Sequence, residues 1–162
     1  MKGGIQKGTT AFDAESLKLD KFVKDAAKEL QEEFPHLRCV MQFSYIDKLE
    51  TVGQDCFGFA PDGGAWFHED KLIAVFEAKK QGKGGNANER WWDNAVTAQY
   101  INKDVIYTTF CTGEGAEFGN NLERMSRKAN IMLGENFQFV LKPEGMTYNE
   151  IKNQMRDTLA NA

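Results

Sequence analysis

Three polar side chains near the middle of the chain have types and spacing that suit chemistry on a phosphate group. Asp62 lies in the turn-forming sequence PDGG, residues 61–64, and Glu77 and Lys79 stand two positions apart after an apolar run. Proline and glycine in this arrangement are strong turn signals. Residues i and i+2 of a β-strand point to the same face, so a strand over this run aims Glu77 and Lys79 together. A short connection then brings the Asp62 carboxylate to the same place.

Two carboxylates and an ammonium group at one place favour metal-assisted chemistry. Mg²⁺ binds through one or two carboxylates together with phosphate and water. It polarises the phosphate and lowers the pKa of a bound water, while Lys79 would orient the attacking water and stabilise developing charge. The pattern is PD-x(n)-(D/E)xK, with Ala78 at the x position. The alternative is a surface turn and a strand-end ion pair, but burying such a pair after an apolar run is costly without a role.

The elements that must position these residues follow from hydrophobic periodicity. Apolar residues recur at helical spacing over residues 14–33, and Pro35 ends that helix. The run over residues 72–78 is apolar without interruption and predicts a strand that is buried on both faces. Further strands are predicted over residues 37–46, 56–60, 105–112 and 137–141. Further helices are predicted over residues 86–102 and 120–133 and after a capping box formed by Thr147 and Glu150.

This order predicts an α/β fold with three layers, α/β/α, around a mixed central sheet. A length of 162 residues suits one domain with its own core. We predict a flexible N-terminal lead-in over residues 1–13 and a single domain over residues 14–162. The sequence contains no apolar run of about 18 residues that would span a membrane. The first residues also lack the apolar segment of a signal peptide.

The composition limits the classes of function. A net charge of −4 argues against a protein that coats nucleic acid nonspecifically, although a local basic channel is compatible with it. The three cysteines are widely spaced and form no CxxC pair, which disfavours a disulfide framework or a zinc knuckle and favours the cytoplasm. Two histidines are too few for a His-rich metal site. The expected metal chemistry is therefore that of carboxylates and Mg²⁺.

The residues around the predicted site resemble those of the EcoRI-type restriction endonucleases, in the PD-(D/E)xK nuclease superfamily. The resemblance spans residues 19–159 and is dense at PDGG, at EAKKQGK (77–83) and at GNANER (85–90). It implies a restriction-endonuclease-like fold and a homodimeric, Mg²⁺-dependent enzyme that cuts double-stranded DNA at a short palindrome, leaving 5′-phosphate and 3′-hydroxyl ends. In the family, the residues matching Asp62 and Glu77 and the carbonyl matching Ala78 bind metal. The residue matching Lys79 assists the attacking water.

The segment GNANER matches the part of the family that reads DNA and leads into a helix whose N-terminal end faces the major groove. Helix N-termini favour phosphate, and Asn can bind adenine through two hydrogen bonds. The alternative is that the two Asn residues of this segment cap the helix and that its Glu and Arg pair. The resemblance implies DNA contacts for Gln81, Lys83, Asn86, Ala87, Glu89, Arg90 and Arg124.

The chain also departs from the family. It is much shorter, lacks an insertion after the QGK sequence, and has Asn121 where the family has a second arginine. The DNA-wrapping arms of the family are therefore expected to be absent or reduced. Readout of the outer base pairs is expected to differ, and the resemblance supports an AATT-like centre for the target rather than an identical site.

Several residues have two interpretations from the sequence. Trp91 and Trp92 either stack on a base or, as we favour, pack in the core or at a subunit interface. Arg127 and Lys128 either contact phosphate or form a solvated face. The acidic residues of segment 47–55 are expected to be loop residues, although one of them is a candidate for assisting metal binding.

We expect a site-specific, Mg²⁺-dependent double-stranded DNA endonuclease. A palindrome cut on both strands requires two equivalent centres, which favours a homodimer. One alternative is a phage or mobile-element nuclease of relaxed or structural specificity. Another is a DNA-binding protein that keeps the fold without the catalytic activity.

Overall fold

The structure, a computed structural model, describes residues 10–41, 43–44, 58–82 and 89–162. Across these residues the chain is mixed α/β, with four α-helices and seven β-strands. In chain order they are α1 (Thr10–Glu33), β1 (Arg38–Val40), β2 (Phe43–Ser44), β3 (Gly58–Phe59), β4 (Ala65–His68), β5 (Lys71–Lys80), α2 (Glu89–Ile101), β6 (Ile106–Thr112), α3 (Asn121–Met132), β7 (Phe137–Leu141) and α4 (Tyr148–Asn161).

Five strands form a mixed sheet in the order β1-β4-β5-β6-β7, and β2 and β3 pair separately. The β1-β4 and β4-β5 pairs are antiparallel, whereas β5-β6 and β6-β7 are parallel. Parallel neighbours require crossover connections, which α2 and α3 supply. Both helices therefore begin near the carboxyl ends of β5 and β6, and this edge of the sheet is called the carboxyl edge below.

Two hydrophobic clusters pack against the sheet. Val75 and Tyr107 belong to one cluster, together with apolar residues of α2 and α3. Ala74 and Phe76 belong to the other, together with apolar residues of α1 and α4. Because side chains alternate along a strand, this division confirms that the run over residues 72–78 is a strand buried on both faces.

The predicted elements are largely found, with shifted ends. The prediction of a strand over residues 37–46 is wrong in one respect, because β1 and β2 pair with different strands. Helix α1 begins at Thr10 rather than at residue 14, and no helix breaker stands between these positions. Strand β4 was missed, since four residues give too short a pattern for periodicity to register. Its signal is the aromatic pair Trp66-Phe67 between Gly64 and the turn at residues 69–70.

No helix in the described ranges is long and apolar enough to cross a membrane. Segment 45–57, with its predicted loop acids Asp47, Glu50 and Asp55, lies outside the described residues, as do residues 1–9 of the predicted lead-in.

The PDGG turn leads into β4 and lies against β5. The Gly63 amide donates to the Phe76 carbonyl at 2.8 Å, and the Phe76 amide donates to the Gly64 carbonyl at 3.2 Å. A Cβ at Gly63 would come within 2.5 Å of Val23 Cγ1 and 2.7 Å of Phe76 Cβ. Glycine is therefore needed for the turn to fit between α1 and β5.

The capping box predicted for the last helix is confirmed. The Glu150 amide donates to Thr147 Oγ1 at 3.2 Å, and the Thr147 amide donates to Glu150 Oε2 at 3.4 Å. These bonds satisfy amides that the first turn of a helix leaves without partners.

Replacing Thr147 by alanine is expected to lower the free energy of unfolding by about 1 kcal/mol, because one cap bond is lost. Thr158 lies inside the same helix, where its hydroxyl donates to the Gln154 carbonyl at 3.1 Å. Thr158→Ala is the matched control and should be close to neutral, since alanine favours helix interiors. Urea unfolding of both variants is the measurement, and equal losses would contradict the capping role.

Candidate active site

The side chain of Asp62 binds the end of β5. Its Oδ2 accepts a hydrogen bond from the Ala78 amide at 3.0 Å. The amides of Phe76 and Ala78 point to the same side of β5, because backbone groups alternate along a strand. The Phe76 amide donates to the Gly64 carbonyl, and the Ala78 amide, the next one on that side, donates to the Asp62 carboxylate. The Ala78 carbonyl points to this side of β5 as well.

The Glu77 carboxylate is buried and accepts hydrogen bonds from two side chains. Asn94 Nδ2, on α2, donates to Oε1 at 3.2 Å, and the Tyr107 hydroxyl, on β6, donates to Oε2. Glu77 is only 9% exposed. An ionised carboxylate has about four lone-pair sites, so two donors leave capacity for a further partner. The arrangement fixes the orientation of Glu77 from two neighbouring elements.

Burial favours the protonated forms of both acids, and the Asp62 charge adds to the effect at Glu77. Burial raises the pKa of Glu77 to about 7, with a further rise from the Asp62 charge, while the Tyr107 and Asn94 hydrogen bonds and Lys79 oppose it. Burial also raises the pKa of Asp62, against the opposing effects of the Ala78 amide, Lys24 and Lys79. The two carboxylates are thus near enough to interact, as the sequence predicted.

Lys79 lies two residues beyond Glu77 on the same face of β5 and is half-buried. Its positive charge lowers the pKa of both Asp62 and Glu77. Its partner in the register is Cys111 on β6, and burial raises the pKa of that thiol well above its usual range. The structure therefore brings together the three residues that the sequence predicted as a catalytic group.

Helix α1 adds two charged residues that sequence reasoning missed. Burial, followed by the Asp62 charge, raises the pKa of Asp20 to about 6, and Lys24 lowers it. Asp20 is one turn before Val23, whose side chain lies against Gly63. Asp20 and Lys24 therefore lie on the part of α1 that adjoins the PDGG turn. The available signal was an acidic residue beside the buried Leu19 in the apolar pattern of the helix.

The donor set fits a hard divalent cation. Asp62 and Glu77 supply two carboxylates, the number that Mg²⁺ commonly uses alongside phosphate and water. The hydrogen bonds from Ala78, Asn94 and Tyr107 are the kind of outer partners that orient ligating carboxylates. Within the described ranges, no three His, Cys, Asp or Glu side chains are grouped tightly enough to hold a metal on their own. A cation here would therefore depend on backbone, water or substrate oxygens.

Gln81 lies just beyond β5 and is 5% exposed, although the resemblance assigns it a DNA contact. Neither its amide nitrogen nor its amide oxygen has a hydrogen-bond partner among the described residues. The loop after β6 holds its backbone, since the Gly115 amide donates to the Gln81 carbonyl at 2.9 Å. A Cβ at Gly113 would come within 2.5 Å of that carbonyl. Both polar atoms of the carboxamide are buried, so the predicted DNA contact of Gln81 is not accessible in this structure.

The first turn of α2 divides into exposed and buried residues. Glu89 and Arg90 are exposed at the carboxyl edge. Trp91 is 4% exposed, and its indole nitrogen donates to Thr109 Oγ1 at 2.9 Å. The prediction that Trp91 packs in the core is confirmed. Trp92 is half-buried and lies 5.3 Å below the Lys128 ammonium of α3.

The remaining predicted DNA contacts are only partly described. Arg124 is exposed near the start of α3, and α3 begins at the carboxyl edge. Lys83, Asn86 and Ala87 lie outside the described residues, and their predicted roles stay predictions. The structure thus groups the catalytic candidates and places Glu89, Arg90 and Arg124 on elements that begin at the same edge.

Removing the Tyr107 hydroxyl is expected to raise the pKa of Glu77 above about 7, because its hydrogen bond stabilises the ionised carboxylate. The measurement is an NMR titration of the Glu77 carboxyl in metal-free Tyr107→Phe. Tyr100→Phe makes the same change on an exposed part of α2 and should leave the pKa of Glu77 where it is. A fall or no change in Tyr107→Phe would contradict the role of the hydroxyl.

Replacing Glu77 by glutamine is expected to stabilise the metal-free protein at neutral pH. The pKa of Glu77 is raised from 4.5 to about 7, so the folded state binds the proton more tightly than the unfolded chain. The contribution of protonated Glu77 to the free energy of unfolding is therefore fully present below about pH 4.5. It is lost as the pH rises through about 7. The advantage of Glu77→Gln should grow across this window to a limit on the order of 3 kcal/mol.

Chemical denaturation across this pH window tests the point. Glu135→Gln removes one negative charge from an exposed position and is the matched control. A difference between Glu77→Gln and the wild type that does not change with pH would show that Glu77 carries no such linkage.

Comparisons with models of protein families, with curated proteins and with solved structures found no match for the chain. The resemblance to EcoRI-type endonucleases therefore stays a prediction from the sequence, and the function must be argued from the site.

Proposed function

We propose that the protein is an Mg²⁺-dependent, site-specific endonuclease that hydrolyses double-stranded DNA to 5′-phosphate and 3′-hydroxyl ends. The observation that carries the proposal is that Asp62, Glu77 and Lys79 lie close together at one end of β5. Two desolvated carboxylates that repel each other favour binding of a cation, and a lysine on the same face suits phosphate chemistry.

In this proposal, Asp62, Glu77 and the Ala78 carbonyl would hold Mg²⁺. The bound metal would polarise the scissile phosphate and lower the pKa of the attacking water. Asn94 and Tyr107 keep Glu77 in one orientation, and the Ala78 amide does the same for Asp62. The Lys79 ammonium orients the water and offsets negative charge that develops on the phosphate.

The carboxyl edge would be the face that meets DNA. Arg90 and Arg124 are exposed on helices that begin there, and Lys24 adds a positive charge beside Asp62. Gln81 is buried in the structure, so the accessible candidates for base readout are Glu89, Arg90 and Arg124. This supports sequence readout close to the cutting centre, in keeping with a short palindrome that has an AATT-like centre.

The proposed fold is the three-layer α/β/α arrangement of restriction endonucleases. Helices α1 and α4 share one hydrophobic cluster and helices α2 and α3 the other, which supports helices on both faces of the sheet. Two copies of the chain would act together, one on each strand of the palindrome. The cytoplasm, where DNA is accessible to such an enzyme, is the proposed location.

Replacing Lys79 by alanine is expected to reduce the rate of plasmid cleavage with Mg²⁺ by about a hundredfold or more, because stabilisation of developing charge is lost. Lys71 is exposed at the other end of the same strand, and Lys71→Ala is the matched control that should cut at the wild-type rate. Circular dichroism of both variants checks that the fold is kept. Cleavage of the plasmid by Lys79→Ala at the rate of the wild type would overturn the proposal.

Sequencing the ends of a genomic digest tests the specificity separately. Ends that share one palindromic sequence are expected. Ends spread at random would instead indicate a nuclease of relaxed specificity, as expected of a phage or mobile-element enzyme. DNA binding by the wild type without cleavage in Mg²⁺ would indicate a binding protein of the same fold.

A further inference from the structure

Phe118 stands out among the exposed side chains at the carboxyl edge. It lies in the loop between β6 and α3 and is 84% exposed. Single exposed apolar residues are ordinary in proteins, so exposure alone carries no meaning. The contacts that fix Phe118 in place and the surface around it distinguish this residue from the others.

The Phe118 ring contacts a cation that is itself held by an ion pair. The Arg127 guanidinium lies 4.9 Å from the ring centroid, and the Arg127 side chain is paired with Glu123. The second oxygen of Glu123 accepts a hydrogen bond from the Gly119 amide at 3.3 Å, directly after Phe118. One buried carboxylate therefore fixes both the cation beside the ring and the backbone that carries it. The cation–π contact favours one orientation of the ring, which lowers the conformational entropy that the ring would lose on binding.

The preceding loop is anchored as well. Asn120 Nδ2 donates to the Glu114 carbonyl at 3.0 Å, and the Asn120 amide donates to the Glu117 carbonyl at 3.0 Å. At its start, the same loop packs on Gln81 through Gly115. Phe118 is thus connected, through a short hydrogen-bonded loop, to the backbone of Gln81, two residues beyond Lys79.

Positive charge and a second aromatic ring continue the surface along α3. Arg124, Arg127 and Lys128 are exposed, and the acidic residue of this helix, Glu123, is buried against Arg127. Lys128 lies over Trp92, at the first turn of α2. Glu117 is the exposed acid next to Phe118. Cations interleaved with aromatic rings are typical of surfaces that bind the backbone and the bases of nucleic acid together.

We propose that Phe118, braced by Arg127, is a stacking platform for a base that is unstacked from the DNA near the scissile phosphate. The proposal rests on the proposed function and extends it, because it predicts that the enzyme recognises deformed DNA as well as a base sequence. Apolar side chains that enter a base step unstack it and kink the duplex, and easily deformed sequences then bind best.

The test measures binding by fluorescence anisotropy in Ca²⁺, with DNA integrity checked on a gel. The two probes are a fully paired duplex and the same duplex with one unpaired adenine. Phe118→Ala should weaken binding to the second probe about tenfold, as expected for the loss of one stacked base. Phe118→Tyr keeps the ring and should bind like the wild type. Phe118→Leu should resemble Phe118→Ala, because it keeps apolar surface without a ring.

The variants are expected to fold normally, since Phe118 is almost fully exposed, and thermal unfolding checks this point. Wild-type affinity of Phe118→Ala for both probes would overturn the proposal. Sedimentation provides the second measurement. A change from dimer to monomer in Phe118→Ala without DNA would also overturn it, by showing that the ring is a contact between two copies of the chain.

The outcomes separate this proposal from the proposed function. Cleavage by the wild type together with unchanged binding by Phe118→Ala would refute the stacking platform alone. Failure of the wild type to bind or cut either probe would refute both.

Discussion

The hydrogen bond between the Ala78 amide and the Asp62 carboxylate is the contact on which the candidate site depends. It joins a turn to the end of a strand 16 residues further along the chain. The bond forms because backbone pairing between the turn and β5 ends at Phe76, so the next amide on that side of the strand, that of Ala78, donates to a side chain instead. Gly63 makes the approach possible, since any larger residue would collide with Val23 and Phe76. One glycine therefore sets how closely α1, the turn and β5 meet.

This arrangement holds acids where water is scarce. Burial raises the pKa of Asp20, Asp62 and Glu77, and the Asp62 charge adds to the rise at Asp20 and at Glu77. Donors from Ala78, Asn94 and Tyr107 and the charge of Lys79 compensate only in part. Groups with strongly perturbed pKa values beside a specific charge partner are typical of functional sites. A divalent cation would relieve the repulsion, which is the physical reason to connect this centre with metal-dependent chemistry.

The topology of the sheet places binding candidates beside the chemistry. Strands β5, β6 and β7 are parallel, so the helices that follow β5 and β6 begin at one edge. In sheets of this kind, ligands commonly bind outside the carboxyl ends of the strands. Glu89, Arg90 and Arg124 are brought to this edge by connectivity alone, whereas the position of Phe118 depends on Glu123 and Arg127. The proposed DNA surface and the proposed cutting centre are thus both consequences of the same strand order.

The sequence by itself determined the features that depend on local pattern. The uninterrupted run over residues 72–78 defined a buried strand, the spacing of Glu77 and Lys79 put them on one face, and Thr147 with Glu150 marked the start of α4. Such signals extend over a few residues, so they survive without knowledge of the fold. The sequence did not predict β4, because a strand of four residues is too short to show an alternating pattern.

The tertiary structure decided the environment of the site. Asn94 and Tyr107 reach Glu77 from 17 and 30 residues away, and Asp20 and Lys24 come from a separate helix. The burial of Gln81 depends in the same way on glycines that follow β6. Long-range packing determines which groups are desolvated and which donors they contact. The hydrophobic periodicity of the sequence carries no information about these contacts. The identity of the acids was therefore readable in the sequence, but their pKa values and their partners follow from the packing of α1, α2 and β6 around them.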